Sequence, residues 1–344
     1  MKRDTDPPAR VVSPEPEIAE GLSEVTLRPR RLGEFIGQER IQDNLKVFIT
    51  AAMGRGEALD HVLFCGPPGL GKTTLAHIIG NELDVAVHIS SGPAIEHRGV
   101  LAGLLTTLEE RDVLFVDEIH RLNPAVEEYL YPAMEDMAID VPSGTGAFSQ
   151  TLRLTLRPFT LIGATTRSGL LTSPLRDRFG IVERLDYYSA GQMARIVMRS
   201  AGIFKVPISD DGAREIAGRS RGTPRIANRL LRRVRDFAEV EGDGRVTLDV
   251  ARHALGALAI DDRGLDSLDR ALLRTVIEKF SGGPVGVDAL GTALSEERDT
   301  LENEVEPFLI QQGFIQRTPR GRVALPGAYQ HLGLPQKGEQ RDLF

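Results

Sequence analysis

The 344 residues suffice for two or three domains with a sizeable core, and an apolar content of 41% is ordinary for a soluble chain. A net charge of -7 excludes a protein coated in basic surface, although a local nucleic-acid patch remains open because steering depends on where charge sits. The one cysteine, Cys65, excludes an internal disulfide and fits a reducing compartment, with a buried thiol as its plain role.

The opening MKRDTDPPARVVSPEPEIAE is polar and Pro-rich, so residues 1–22 read as a flexible arm and not as a signal peptide. No apolar run approaches membrane-spanning length, and the cytoplasm is the expected location, with no membrane partner. From residue 58 to 187 the runs HVLFC, VAVHIS, VLFVD and FTLIGATT alternate with helical patterns. That alternation predicts an α/β fold with a parallel sheet and crossover helices. The segment IDVPSGTGAFSQTLRLTL, about 139–156, departs from it and reads as an inserted hairpin with a Gly/Ser tip. Residues 188–258 are helical in pattern, with Thr223 as an N-cap and Pro224 in the first turn of RGTPRIANRLLRRVRDFAE. From 259 to 335 three helical patterns precede GFIQRTPRGRVAL, two short strands around a Pro/Arg/Gly turn, and residues 336–344 form a tail. Helices followed by a wing predict a winged-helix module.

The stretch GPPGLGKT, residues 66–73, fits G-x-x-x-x-G-K-[ST] between a strand and a helix, the context a phosphate loop requires. Its glycines let backbone N–H groups face phosphate oxygens, Lys72 reaches the β and γ phosphates, and Thr73 ligates Mg2+ of a bound ATP. The strand VLFVD ends in Asp117, beside the metal, with Glu118 next to it to polarise the attacking water. His120 either relays the state of DNA or a neighbour to Glu118 or lines the surface. Thr165 and Thr166 close the strand FTLIGATT, where a hydroxyl can hold water or sense the γ-phosphate; threonine is also a common strand residue. Arg225, in the first turn of a helix, is electrostatically misplaced without an anionic partner, which a phosphate or an acid supplies. Arg176 and Arg178 flank Asp177 in SPLRDRFG and pose the same question, because an unpaired guanidinium is costly to bury.

These segments together resemble the AAA+ ATPases. RPRRLGEFIGQ, LDHVLFCGPPGLGKTTLA, LFVDEIHRL, ATTRSGLLTSPLRDRFGI, RGTPRIANRLLRRVRDFA and GFIQRTPRGR narrow the resemblance to the RuvB family of Holliday-junction branch-migration motors, over about residues 23–330. The resemblance implies a P-loop core at 23–187, a small helical lid at 188–258 and a winged-helix DNA-binding domain at 259–335. It assigns Leu27 and Arg28 to the base and sugar, and Gly69, Lys72, Thr73 and Thr74 to the phosphates. It makes Asp117 and Glu118 the metal-side and catalytic acids, and Thr166 the first sensor. Glu135, Asp136 and Met137 fall in a nucleotide-contact stretch, Tyr188 in the pocket lining, and Arg225 at the second sensor. Arg178 takes the place of an arginine finger that enters the neighbouring subunit's site. The resemblance also implies hexameric rings around double-stranded DNA, two per junction, with RuvA as partner and RuvC in the resolving complex.

The third helical pattern of the last domain, ERDTLENEVEPF, is rich in acids and poorly suited to a phosphate-lined groove. Arg317, Arg320 and Arg322 cluster on the wing and can meet phosphates without reading bases, with Arg317 and Arg322 the first choices. Arg229, Arg232, Arg233 and Arg235 span more than one helix face, so most of them are expected to bridge domains or subunits. On the hairpin, Phe148 and Leu152 are candidates for docking RuvA. Two rivals stay open: a clamp-loader-like ATPase that remodels a protein ring on DNA, and an ATP-gated, sequence-specific DNA-binding module.

Overall fold

The computed structural model describes residues 10–13, 26–143 and 150–336. The chain divides between Tyr188 and Ser189 into two compact units. The first runs α1 (Glu39–Arg55), β1 (Val62–Cys65), α2 (Lys72–Leu83), β2 (Val87–Ser91), α3 (Arg98–Thr106), β3 (Val113–Asp117), α4 (Pro124–Glu135), β4 (Ala138–Ser143), β5 (Gln150–Thr155), β6 (Thr160–Thr165), α5 (Ser173–Arg176) and β7 (Ile181–Arg184). Five of the strands form a parallel sheet in the order β2-β3-β6-β1-β7. Every residue of β1 and β6 is buried, which is why those segments read as unbroken apolar runs. Leu63, Leu114, Leu161 and Phe159 join Leu101, Val126 and Leu130 from the helices in one core. Parallel strands all end on the same side, so the turns after β1, β3 and β6 converge where open α/β sheets bind ligands.

Strands β4 and β5 pair antiparallel, with Ile139 opposite Leu154 and Val141 opposite Leu152. Ile139 is fully buried and roots the hairpin in the core, whereas Leu152 is exposed. Phe148 lies outside the described residues.

The second unit contains the lid helices α6 (Ala190–Phe204), α7 (Asp210–Arg219), α8 (Pro224–Glu241) and α9 (Leu248–Ala257). A capping box of Ser189 and Gln192 starts α6. Thr223 does occupy the N-cap position of α8, but its hydroxyl turns to the Arg221 carbonyl at 3.4 Å and caps nothing. The chain continues through α10 (Ser267–Arg274) and a π-helical turn, Thr275–Lys279, to α11 (Val287–Leu294) and α12 (Arg298–Thr300). A second π turn, Leu301–Val305, leads to α13 (Glu306–Gln311), the antiparallel wing β8 (Ile315–Thr318) and β9 (Gly321–Ala324), and α14 (Pro326–Leu332). Leu265, Leu272, Leu301 and Phe308 centre its own core. Arg10–Ser13, in the stretch expected to be a flexible arm, are seated in this second unit, with Val12 wholly buried. Among the described residues no helix is long and apolar enough to cross a membrane.

Candidate nucleotide and DNA sites

At the end of β1 the backbone turns at Gly66, with φ at 142°, and a Cβ there would lie 2.6 Å from the Leu185 carbonyl oxygen. Gly71, at φ 104°, enters α2 with the Phe35 ring 3.3 Å from where its Cβ would stand. Only glycine fits both places. Lys72, the first residue of α2, is buried and donates from Nζ to the carbonyls of Gly66 and Pro67, each at 2.8 Å. The loop thus holds the ammonium at its own mouth, above a helix N-terminus whose N–H groups attract anions. Thr73 and Thr74 follow in the first turn, and Gly69 has a left-handed φ of 76°. Tyr188 is buried and donates to the Leu70 carbonyl at 3.0 Å, propping the loop from within; burial pushes its phenol up. Leu27 is buried and Arg28 partly so.

Asp117 closes β3 and accepts the Glu118 N–H at 2.9 Å. Glu118 sits at φ 48°, a left-handed conformation uncommon for a side-chain-bearing residue and concentrated at functional sites. Because β6 lies beside β3, the Thr166 hydroxyl donates to Glu118 Oε2 at 3.1 Å. His120 Nδ1 stands 3.2 Å from the same oxygen and 2.9 Å from Thr165 Oγ1. Its side chain is buried, so His120 belongs to the acid's surroundings and not to the surface, and burial keeps the imidazole below its ordinary value. The Thr73 hydroxyl and the Asp117 carboxylate are hard oxygen donors of the kind Mg2+ accepts together with phosphates and water. No group of three or more His, Cys, Asp or Glu among the described residues is placed to hold a metal ion by itself.

Arg178 is anchored by a different set of groups. It donates to the Pro174 carbonyl at 2.6 Å and to Glu135 Oε2 at 3.1 Å, and its guanidinium lies 4.2 Å over the Tyr131 ring. Among the described residues its buried Nε has no hydrogen-bond partner. Tyr131 donates to Glu127 at 2.8 Å, and Thr172 donates to the same carboxylate while capping α5. Glu127, Tyr131 and Thr172 form a platform that no local pattern announced. Of the neighbouring stretch, Glu135 holds Arg178 and Asp136 pairs with Arg153 of β5 at 2.7 Å. Met137 contributes backbone: at φ 49° its carbonyl accepts the Leu156 N–H and closes the hairpin base.

In the second unit Arg225 is the second residue of α8, half-buried at the helix start. The wing offers its three arginines unequally. Arg322 donates to Glu306 at 2.7 Å and to Glu302 at 2.8 Å, and its side chain is only 13% exposed. Arg317 donates to Glu306 at 2.6 Å and to the Glu302 carbonyl at 3.0 Å, with its side chain 48% exposed. Arg320, at the turn, is exposed and has no ion pair among the described residues. Glu306 is fully buried, so part of the acidic run faces inward and fixes the wing arginines instead of repelling DNA. Of the basic run on α8, Arg229 is buried, and Arg233 and Arg235 pair with Asp236.

A sheet that wedges β6 between the phosphate-loop strand and the acid strand, so that Thr166 meets Glu118, is the arrangement of the AAA+ class of P-loop ATPases. The model described as the Holliday junction DNA helicase RuvB P-loop domain matches residues 27–185. The RuvB AAA lid domain matches 188–261 and the RuvB C-terminal winged helix domain 262–333. The chain belongs to the RuvB family. It is 61% identical over 309 residues to the Holliday junction branch migration complex subunit RuvB of Myxococcus xanthus (strain DK1622), covering 90% of each chain. It is 60% identical over 321 residues to the protein of the same name in Christiangramia forsetii, covering 93% of this chain and 94% of that one. The solved Thermotoga maritima RuvB Holliday junction branch migration motor matches with a TM-score of 0.81 at 51% identity, over 90% of this chain and 99% of that one.

Proposed function

We propose that this chain is an ATP-driven motor that moves double-stranded DNA at Holliday junctions, working as a homo-hexameric ring with RuvA and meeting RuvC in the resolving complex. Thr73 and Asp117 would hold Mg2+, which would supply neutralisation of phosphate charge. Lys72 leaves the carbonyls of Gly66 and Pro67 for the phosphates. Glu118 polarises the attacking water, while Thr166 reads the γ-phosphate and keeps Glu118 oriented. Leu27, Arg28 and Tyr188 hold the nucleoside end, and Arg225 brings the lid to the phosphates. Arg178 stabilises charge on the γ-phosphoryl of the neighbouring subunit, with Glu135 beside it on the same face. The wing tracks phosphates through Arg320 and the outer edges of Arg317 and Arg322, without sequence preference. Leu152 and Phe148 on the hairpin serve RuvA.

The observation that supports this reading most is the setting of Arg178, poised by Tyr131, Glu135 and Pro174 and by no group of its own phosphate loop. Such a site depends on assembly, which suits a ring motor. The test is movement of a four-way DNA junction by the purified chain with RuvA. ATP-dependent movement that stops with a non-hydrolysable analogue is expected. Opening of a sliding clamp without junction movement would favour the clamp-loader reading, and tight, salt-resistant binding to one sequence would favour the DNA-binding module.

A further inference from the structure

The lid and the winged helix meet at a joint whose polar groups are not complete without a distant piece of chain. Asp266 caps α10, and Asp269 in its first turn is wholly buried. Between them they accept hydrogen bonds from two guanidinium groups. Arg221, from the loop before α8, bonds to Asp269 and lies 4.4 Å over the Phe308 ring. Arg10 donates to Asp266 at 2.8 Å and to Asp269 at 3.1 Å, with Glu304 at 3.9 Å. Two buried acids therefore face two arginines, one from the lid and one from the N-terminal segment. Burial would raise the Asp266 carboxyl, but the Arg10 hydrogen bond and charge, together with the Arg221 charge and the Asp269 N–H, outweigh it and hold that group at about 2. From the lid side, the buried Arg229 of α8 donates to the carbonyls of Arg10, Val11 and Ser13 at 3.1, 3.3 and 2.9 Å. Val12 is fully buried between these polar anchors. Removing the segment would strip one cation from a buried carboxylate pair and three acceptors from a buried guanidinium, both costly.

We propose that this joint is a binding site for an arginine-bearing turn, occupied by the chain's own Arg10–Ser13, closed by the Ser13 N–H on the Arg10 carbonyl at 3.0 Å, which act as a strap that makes lid and winged helix move as one body. The strap takes its fork from Arg10, its apolar peg from Val12, and its specificity from carbonyls read by Arg229. Its mechanical consequence rests on the motor reading: lid movement driven at the nucleotide reaches the wing undiminished only while the joint is stiff.

The test compares the full chain with R10E and V12D. Backbone amide exchange at the start of α10 and over residues 221–230 should accelerate at least tenfold, with α2 unchanged, and R10K should fall between. A synthetic peptide of residues 1–16, added to R10E, should restore protection. The ratio of DNA-stimulated to unstimulated ATPase should drop several-fold in both variants. Joint exchange identical to that of the unaltered chain, or acceleration spread equally into α2, would overturn the strap. A loosened joint with an unchanged ATPase ratio would overturn its mechanical role. Absence of DNA stimulation in the unaltered chain would instead strike the motor reading and leave the exchange result standing.

Discussion

The guanidinium of Arg178 lies 4.2 Å over the ring of Tyr131 in its own chain. The ring is itself fixed by the bond from its hydroxyl to Glu127, so a mobile arginine is held in one orientation before any phosphate reaches it. An exposed cation–π contact is worth about 0.5–1 kcal/mol, or roughly two- to fivefold in rate. Tyr131→Leu should therefore lower ATPase activity by that factor, and Tyr131→Phe by less. Steady-state rates at saturating ATP and protein concentration check this.

Glu118 is held by Thr166 and His120 in a strained backbone conformation. Glu118→Gln should keep ATP binding and lower hydrolysis by about 10²–10⁴. Thr166→Val removes the hydroxyl that orients it and should fall between that variant and the unaltered chain. Binding of a fluorescent ATP analogue, measured beside turnover, separates the two effects.

The wing arginines should divide by role. Arg320→Ala should weaken DNA binding and lower the slope of log K against log salt by about one, with thermal stability unchanged. Arg322→Ala also leaves the buried Glu306 with Arg317 alone, and should destabilise the winged helix by about 2–4 kcal/mol. Calorimetry and a salt titration of duplex binding distinguish them.

Acid should destabilise the ATPase unit through His61. Its Nε2 donates to the Met134 carbonyl at 3.2 Å and its Nδ1 accepts the Leu161 N–H at 2.9 Å, so only the neutral ring fits. Burial lowers its value below the ordinary 6.5, and below that pH the unfolded chain binds the extra proton. Stability should be complete above the ordinary value and fall by up to about 1.4 kcal/mol per pH unit beneath it, until the folded group also titrates. Denaturant unfolding between neutral and acid pH should show this slope, and His61→Gln should flatten it.

The phosphate loop, the parallel strands and the wing were legible in the sequence because each is local. A strand, a glycine turn and a helix are contiguous, and strands buried on both faces read as apolar runs. The platform under Arg178 was not legible as a whole: Glu127 and Tyr131 are i,i+4 neighbours on α4, but Thr172 and Arg178 reach them only through tertiary packing across more than 40 residues. Nor was the reversal of the acidic run: Glu306 reaches Arg322 across 16 residues, and periodicity says nothing of such partners. Arg10 and Asp266 are 256 residues apart, and the polar, Pro-rich composition around Arg10 pointed to an unattached arm. Thr223 shows the opposite failure, a residue type suited to capping whose hydroxyl was drawn to a nearer carbonyl.

Arg178 is proposed to complete the nucleotide site of a neighbouring subunit. Arg178→Ala and Lys72→Ala should each be nearly inactive as ATPases at protein concentrations that support assembly. Mixed in equal amounts, they should regain a measurable fraction of activity, because some interfaces pair an intact phosphate loop with an intact Arg178. Activity that stays at the level of the separate variants, in mixtures shown to co-assemble, would contradict the account.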